Sequence, residues 1–283
     1  MFLCFKKTYK FLFLLLACAI IPFTTRAATI DTVSIYSKSM QKTFSCVVIT
    51  PKQEKKKKIS YPVVYLLHGY AGSYDNWIRL VPELSAYADE YKMMIVCPDG
   101  GFSSWYFDSP VDSSMRYETY IGEEVPAYID QHYPVIRTRQ ARAITGLSMG
   151  GHGALFLGFR HADRFGACGS MSGGVDMNTL HTRYDVSKRL GDTIAFADNW
   201  KKYSVTTLVE KYPKDSLAII FDCGTEDFFY AVNHRLHEKM LQLKIPHDYI
   251  ERTGAHNWAY WRNAVRYQLL FFRNYFNKMQ REI

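Results

Sequence analysis

The sequence holds no close-spaced arrangement of cysteine with histidine, no internal repeat and no low-complexity tract. The first absence leaves no zinc site of the common spacing, and the others exclude solenoids and compositionally disordered chains. Basic residues do not gather with aromatics in a nucleic-acid signature. The densest run, "KQEKKKK" at 52–58, lies between two strand-like segments and reads as a solvated hairpin loop. Cysteine is scarce, with six in the chain. Long apolar runs are scarcer still: one run, Phe11 to Phe23, is broken only by Cys18 and Pro22. That is short of the roughly 20 residues a membrane span needs.

What precedes and follows that run gives it a meaning. Lys6, Lys7 and Lys10 stand before it and small residues around Thr25, Ala27 and Ala28 after it, the order of a secretory signal peptide cut after Ala27. A rival reading takes "LLAC" at 15–18 as a lipoprotein box with Cys18 acylated. The expected location is secreted or periplasmic, or lipid-anchored at the outer membrane or cell surface if Cys18 is modified. Loss of residues 1–27 removes four bases and no acid, so the formal charge of +8 falls to about +4. Cys46, Cys97, Cys168 and Cys223 remain, each in an apolar strand-like run where a free thiol serves as a small core hydrophobe.

Residues 28–283 read as one domain. Thr29–Tyr36 and Lys42–Thr50 alternate apolar and polar residues, as an antiparallel hairpin with one wet face would. Five short apolar runs follow: 61–69, 93–100, 141–146, 165–173 and 217–224, the pattern of strands buried on both faces of a parallel sheet. Helix-length amphipathic stretches alternate with them at 74–91, 116–131, 149–160 and 229–243, before a last strand near 248–251 and a helix over 257–279. The class is α/β, a mostly parallel, doubly wound sheet with an N-terminal antiparallel hairpin. Two long connections, 102–115 and 175–215, leave the C-terminal ends of strands, where binding residues collect.

"GLSMG" at 146–150 lies between a buried strand and a helix and fits G-x-S-x-G, a strand-to-helix turn that lifts a serine hydroxyl above the sheet. A serine hydroxyl needs a base to become a nucleophile, and in this fold class the order along the chain is serine, acid, histidine. His234 and His237 fall inside a helix and His247 at the wrong end of the last strand. His256, in the glycine-containing loop "RTGAHNW", is in the right place. Asp222, Glu226 and Asp227 compete as the acid: Asp222 is still in its strand and suited to bracing the turn, Asp227 lies in the loop beyond, and Glu226 is the substitute. Backbone N–H groups of Met149 and Tyr70 are the candidate oxyanion donors, with His68 and Gly69 shaping the Tyr70 loop. Trp105, Tyr106 and Trp258 are candidate walls of a substrate cleft.

With these residues assembled, "YLLHGYAGSYDNW", "PDGGFSSWY", "GLSMGGHGA", "DCGTED" and "GAHNWAYW" resemble the successive motifs of the esterase family of α/β-hydrolases. That family includes esterase D, S-formylglutathione hydrolases, bacterial feruloyl and acetyl esterases and the antigen 85 acyltransferases. The resemblance spans most of residues 29–280. It implies an α/β-hydrolase fold with Ser148 as nucleophile, Asp227 as acid, His256 as base, Tyr70 and Met149 as oxyanion donors, and no metal or organic cofactor. The segment "HGYAGSYDNW" lacks the cysteine-containing motif usual in S-formylglutathione hydrolases, which, with the leader, favours esters of exported substrates. The expected partner is a small-molecule or polysaccharide-linked ester, acetyl or feruloyl. Acyl transfer to a carbohydrate or lipid alcohol and S-formylglutathione-type thioester hydrolysis are the alternatives.

Overall fold

The structure is a computed structural model that describes residues 28–53, 59–181, 183–212 and 216–281. The leader, Cys18 and most of the lysine run lie outside those residues. Eight strands form one sheet: β1 (Thr29–Ser37), β2 (Lys42–Thr50), β3 (Val63–Leu67), β4 (Met94–Pro98), β5 (Arg142–Gly146), β6 (Ala167–Met171), β7 (Ala218–Gly224) and β8 (Asp248–Arg252). Their order is β1-β2-β4-β3-β5-β6-β7-β8. β1, β2 and β4 pair antiparallel and all other neighbours parallel, as an α/β sheet begun by a hairpin requires. The lysine-rich connection is not a hairpin loop, because β4 lies between β2 and β3 and pairs with both.

Alternation along each buried strand feeds two cores. Val63, Tyr65 and Leu67 face one layer with Phe156, Leu236 and Trp200; Val64 and Leu66 face the other with Trp77, Leu269 and Phe272. Each fully buried large apolar side chain of this kind contributes roughly 1.5–3 kcal/mol. The helix Trp258–Arg281 carries the second layer, its buried stripe running through Trp261, Ala264, Val265, Leu269, Phe272 and Phe276 at helical spacing. The stretch expected as one helix over 74–91 is two, Asn76–Leu80 and Leu84–Tyr91. Pro82 explains the break: it has no N–H to donate and disfavours helical geometry at Val81 before it. β2 also differs from expectation, since Cys46–Thr50 is buried on both faces where β4 covers its inner edge. The four cysteines are free and buried, and burial pushes each thiol above its usual range.

Two registers place the site. Leu67 is level with Gly146, so the loops after β3 and β5 leave the sheet side by side. From β3 the chain winds outward to β4 on one flank and β5 on the other, which opens a crevice at the carboxyl ends between them. Gly224 is level with Arg252, which sets the loops after β7 and β8 together in the same way.

Candidate active site

Ser148 sits at φ 54° and ψ −115°, between β5 and the twelve-residue helix Met149–Arg160. A non-glycine residue with that φ is strained and persists because its surroundings fix it. Its N–H donates to Met171 O at 2.9 Å, and its carbonyl accepts from His152 N at 3.0 Å. The flanking glycines are required by contact. A Cβ on Gly150 would lie 2.5 Å from His68 O and 2.6 Å from Leu67 O, and one on Gly146 would lie 2.6 Å from Gly150 O.

From this turn the Ser148 hydroxyl reaches His256 Nε2 at 2.8 Å. His256 Nδ1 stands 2.8 Å from Asp227 Oδ2 and 3.0 Å from Oδ1. With Nδ1–H donating to the carboxylate, Nε2 is left free to accept the serine proton. Asp227 is held in turn by Phe229 N, which donates to Oδ1 at 2.8 Å, and its side chain is fully buried. Glu226 is exposed and makes no such contact. Asp222 stands apart from this line. Burial pushes its carboxyl up to about 6 against the opposing pull of Arg252, Gln268 and Tyr260, and those side chains, rather than turn N–H groups, are its partners.

The Tyr70 and Met149 N–H groups have no partner among the described residues, whereas their neighbours do: Ala71 N donates to Phe102 O at 2.8 Å and Gly150 N to Leu147 O at 2.7 Å. The Tyr70 loop is braced by His68. Gly100 N donates to His68 Nε2 at 2.7 Å, so Nδ1 carries the proton and donates to Gly69 O at 2.8 Å. The helix after Ser148 adds its positive end to the same spot.

An open cleft of about 320 Å³ lies over Ser148 and His256, walled by Tyr70, Tyr184, Phe228 and Trp258. Trp258 is where the sequence places it. Trp105 and Tyr106 are not: they are 1% and 0% exposed and line no part of the cleft. Both have left-handed backbone, φ 53° and 63°, which turns them inward. Trp105 Nε1 then donates to Tyr184 O at 2.9 Å and Tyr106 Oη to His68 O at 2.8 Å. They therefore brace the walls from behind. Sequence reasoning missed Tyr184 and Phe228. Phe228 is 58% exposed with its ring 4.3 Å from that of His256; its place directly after Asp227 was the available signal. Tyr184, at φ 56° in a polar segment without periodicity, offered none.

A sequence profile described as "Putative esterase" matches residues 37–272. The chain belongs to this esterase family. An acetyl esterase of Caldicellulosiruptor saccharolyticus is 28% identical over 255 residues, covering 82% of this chain and 94% of that one. The S-formylglutathione hydrolase of Bos taurus is 27% identical over 224 residues, 71% of this chain and 77% of the other. A solved ferulic acid esterase is 30% identical with a TM-score of 0.74, covering 88% of this chain and all of that one. The fluorophosphonate-binding serine hydrolase F of Staphylococcus aureus, at 20% identity, has a TM-score of 0.79 and shares the fold. By family this esterase is a carboxylic ester hydrolase, and its fold is shared with the solved ferulic acid esterase.

Proposed function

We propose that this esterase cleaves acyl esters through an acyl-enzyme on Ser148, with His256 as base and acid, Asp227 orienting His256, and the Tyr70 and Met149 N–H groups receiving the oxyanion. The observation that carries the reading is the unbroken Asp227–His256–Ser148 hydrogen-bonded line beside two N–H donors without a partner among the described residues, with Tyr70, Ser148 and His256 lining one cleft. As Ser148 Oγ attacks the ester carbonyl, its proton passes to His256 Nε2. Negative charge moves to the former carbonyl oxygen, where fixed donors stabilise it without reorganising. His256 then gives the proton to the departing alcohol. A water molecule deprotonated by the same nitrogen releases the acid and restores the serine.

The substrate class is an acetyl or feruloyl ester of a carbohydrate, met outside the cytoplasm. An open, aromatic-walled cleft admits a bulky alcohol, and an acetyl esterase and a ferulic acid esterase stand among the relatives. The leader-like residues 1–27 support export; among the described residues no helix is long and apolar enough to cross a membrane. The test is a panel of p-nitrophenyl esters, methyl ferulate, acetylated xylan and S-formylglutathione, run on the parent and Ser148→Ala, with a competing alcohol to detect acyl transfer. Turnover of acetylated xylan or methyl ferulate should exceed that of S-formylglutathione, and Ser148→Ala should lose at least about three orders of magnitude. Preference for the thioester, or transfer outrunning hydrolysis, would replace the substrate reading.

A further inference from the structure

Asp222 stands near the end of β7, five positions before Asp227, and its side-chain partners are Tyr260, Gln268 and Arg252 rather than Ser148 or His256. It is fully buried, and its Oδ1 accepts from Tyr260 Oη at 2.9 Å and lies 3.1 Å from an Arg252 guanidinium nitrogen. Its Oδ2 accepts from Gln268 Nε2 at 2.7 Å. Gln268, also fully buried, donates further to Ser170 O at 3.2 Å and accepts from Thr145 Oγ1 at 2.9 Å. One carboxylate thus collects β5, β6, β7, β8 and the last helix.

Thr145, Arg252 and Tyr260, like Asp222 itself, sit just before or after a reacting residue in the chain. Thr145 stands in β5 ahead of Ser148; Asp222 itself stands in β7 ahead of Asp227; Arg252 and Tyr260 bracket His256. Above the network the two loops are joined by main chain, Thr225 N to Arg252 O at 2.8 Å and Glu226 N to Gly254 O at 3.0 Å. Packing there is so close that a Cβ on Gly224 would fall 2.1 Å from Gly254 O. Stability alone does not call for a carboxylate at this place, since well-packed apolar side chains often serve as well as a buried ion pair. A charged, fully partnered group differs in fixing direction: every donor around it must keep its angle as well as its distance.

We propose that Asp222 is a positioning residue for the reaction, holding the segments that carry Ser148, Asp227 and His256 in one register through Gln268, Arg252 and Tyr260. The proposal rests on the triad reading above. It separates from a purely structural role because misalignment of reacting groups slows the chemical step while leaving substrate binding in the cleft intact.

The test compares Asp222→Asn and Tyr260→Phe with the parent, measuring kcat and KM on p-nitrophenyl acetate, the rate of fluorophosphonate labelling at Ser148, and Tm. Tyr260→Phe keeps the ring and removes only the hydroxyl, so it decides the matter if Asp222→Asn does not fold. The expected result is a fall in kcat of about tenfold to a hundredfold for Asp222→Asn and about fivefold for Tyr260→Phe, with KM within about twofold. Labelling should slow in proportion, and the double variant should be no slower than Asp222→Asn alone. A folded variant with parental kcat and labelling rate, however low its Tm, would overturn the proposal. Ser148→Ala is assayed alongside: turnover there within about tenfold of the parent would remove the triad reading itself, a different failure from an unchanged Tyr260→Phe.

Discussion

His256 Nε2 stands 2.8 Å from Ser148 Oγ although 108 positions separate the two residues in the chain. The proximity follows from two sheet registers: β3 with β5 aligns the Ser148 turn and the Tyr70 loop, and β7 with β8 aligns the Asp227 and His256 loops. The side chains and N–H groups of the proposed site therefore inherit their placement from the sheet, and each link can be broken separately.

Replacement of Asp227 by Asn should leave the fold in place and lower kcat by up to about 10⁴-fold, because an amide can hold the imidazole in the wrong tautomer. Glu226→Gln should stay within about threefold of the parent, its side chain being exposed and off the hydrogen-bonded line. Steady-state kinetics on one chromogenic ester checks both. The opposite ranking would move the acid to Glu226.

Gly150→Ala tests the packing of the serine turn against the oxyanion loop. The added Cβ would meet two main-chain oxygens, of His68 and Leu67, neither of which can swing aside as a flexible side chain would. A loss of about 2–3 kcal/mol in urea unfolding is expected, together with a fall in activity. An unchanged midpoint would mean that the two loops do not pack as described.

What the sequence could and could not reveal follows from where each cause lies. Ser148 was legible because glycines at fixed offsets between a buried strand and a helix have a local steric cause, and the helix over 149–160 begins and ends where its pattern does. The lysine-rich connection was misread because insertion of β4 beside β2 is a long-range pairing with no local mark. Trp105 and Tyr106 failed as cleft residues for a related reason: an aromatic in a turn-rich loop reads the same whether its backbone turns it outward or, at positive φ, inward. Asp222 reads as a turn brace from its strand position, but its side-chain partners come from β8 and the last helix, beyond any sequence window.

His152 makes stability depend on acidity. It is fully buried among Trp105, Phe107 and Phe156, and neither ring nitrogen is in hydrogen-bonding geometry with a partner among the described residues. Burial pushes its pKa down from 6.5 to about 3, against a smaller opposing pull from the Gly174 main chain. Between those values the unfolded chain binds the extra proton. The stability owed to neutral His152 is therefore complete above about pH 6.5 and is lost progressively as pH falls towards 3. His152→Leu should flatten this acid limb, gaining on the parent by up to about 1.4 kcal/mol for each pH unit below 6.5. Urea unfolding at pH 7.5 and pH 5 checks it; equal sensitivity of variant and parent would show that the ring is protonated in the fold.

The most direct measurement is covalent labelling with a fluorophosphonate, followed by peptide mapping in the mass spectrometer. One phosphonyl group should appear on the parent, on the peptide containing Ser148, and none on Ser148→Ala or on His256→Ala over the same interval. Labelling of a different serine, or equal labelling of the His256 variant, would contradict the account.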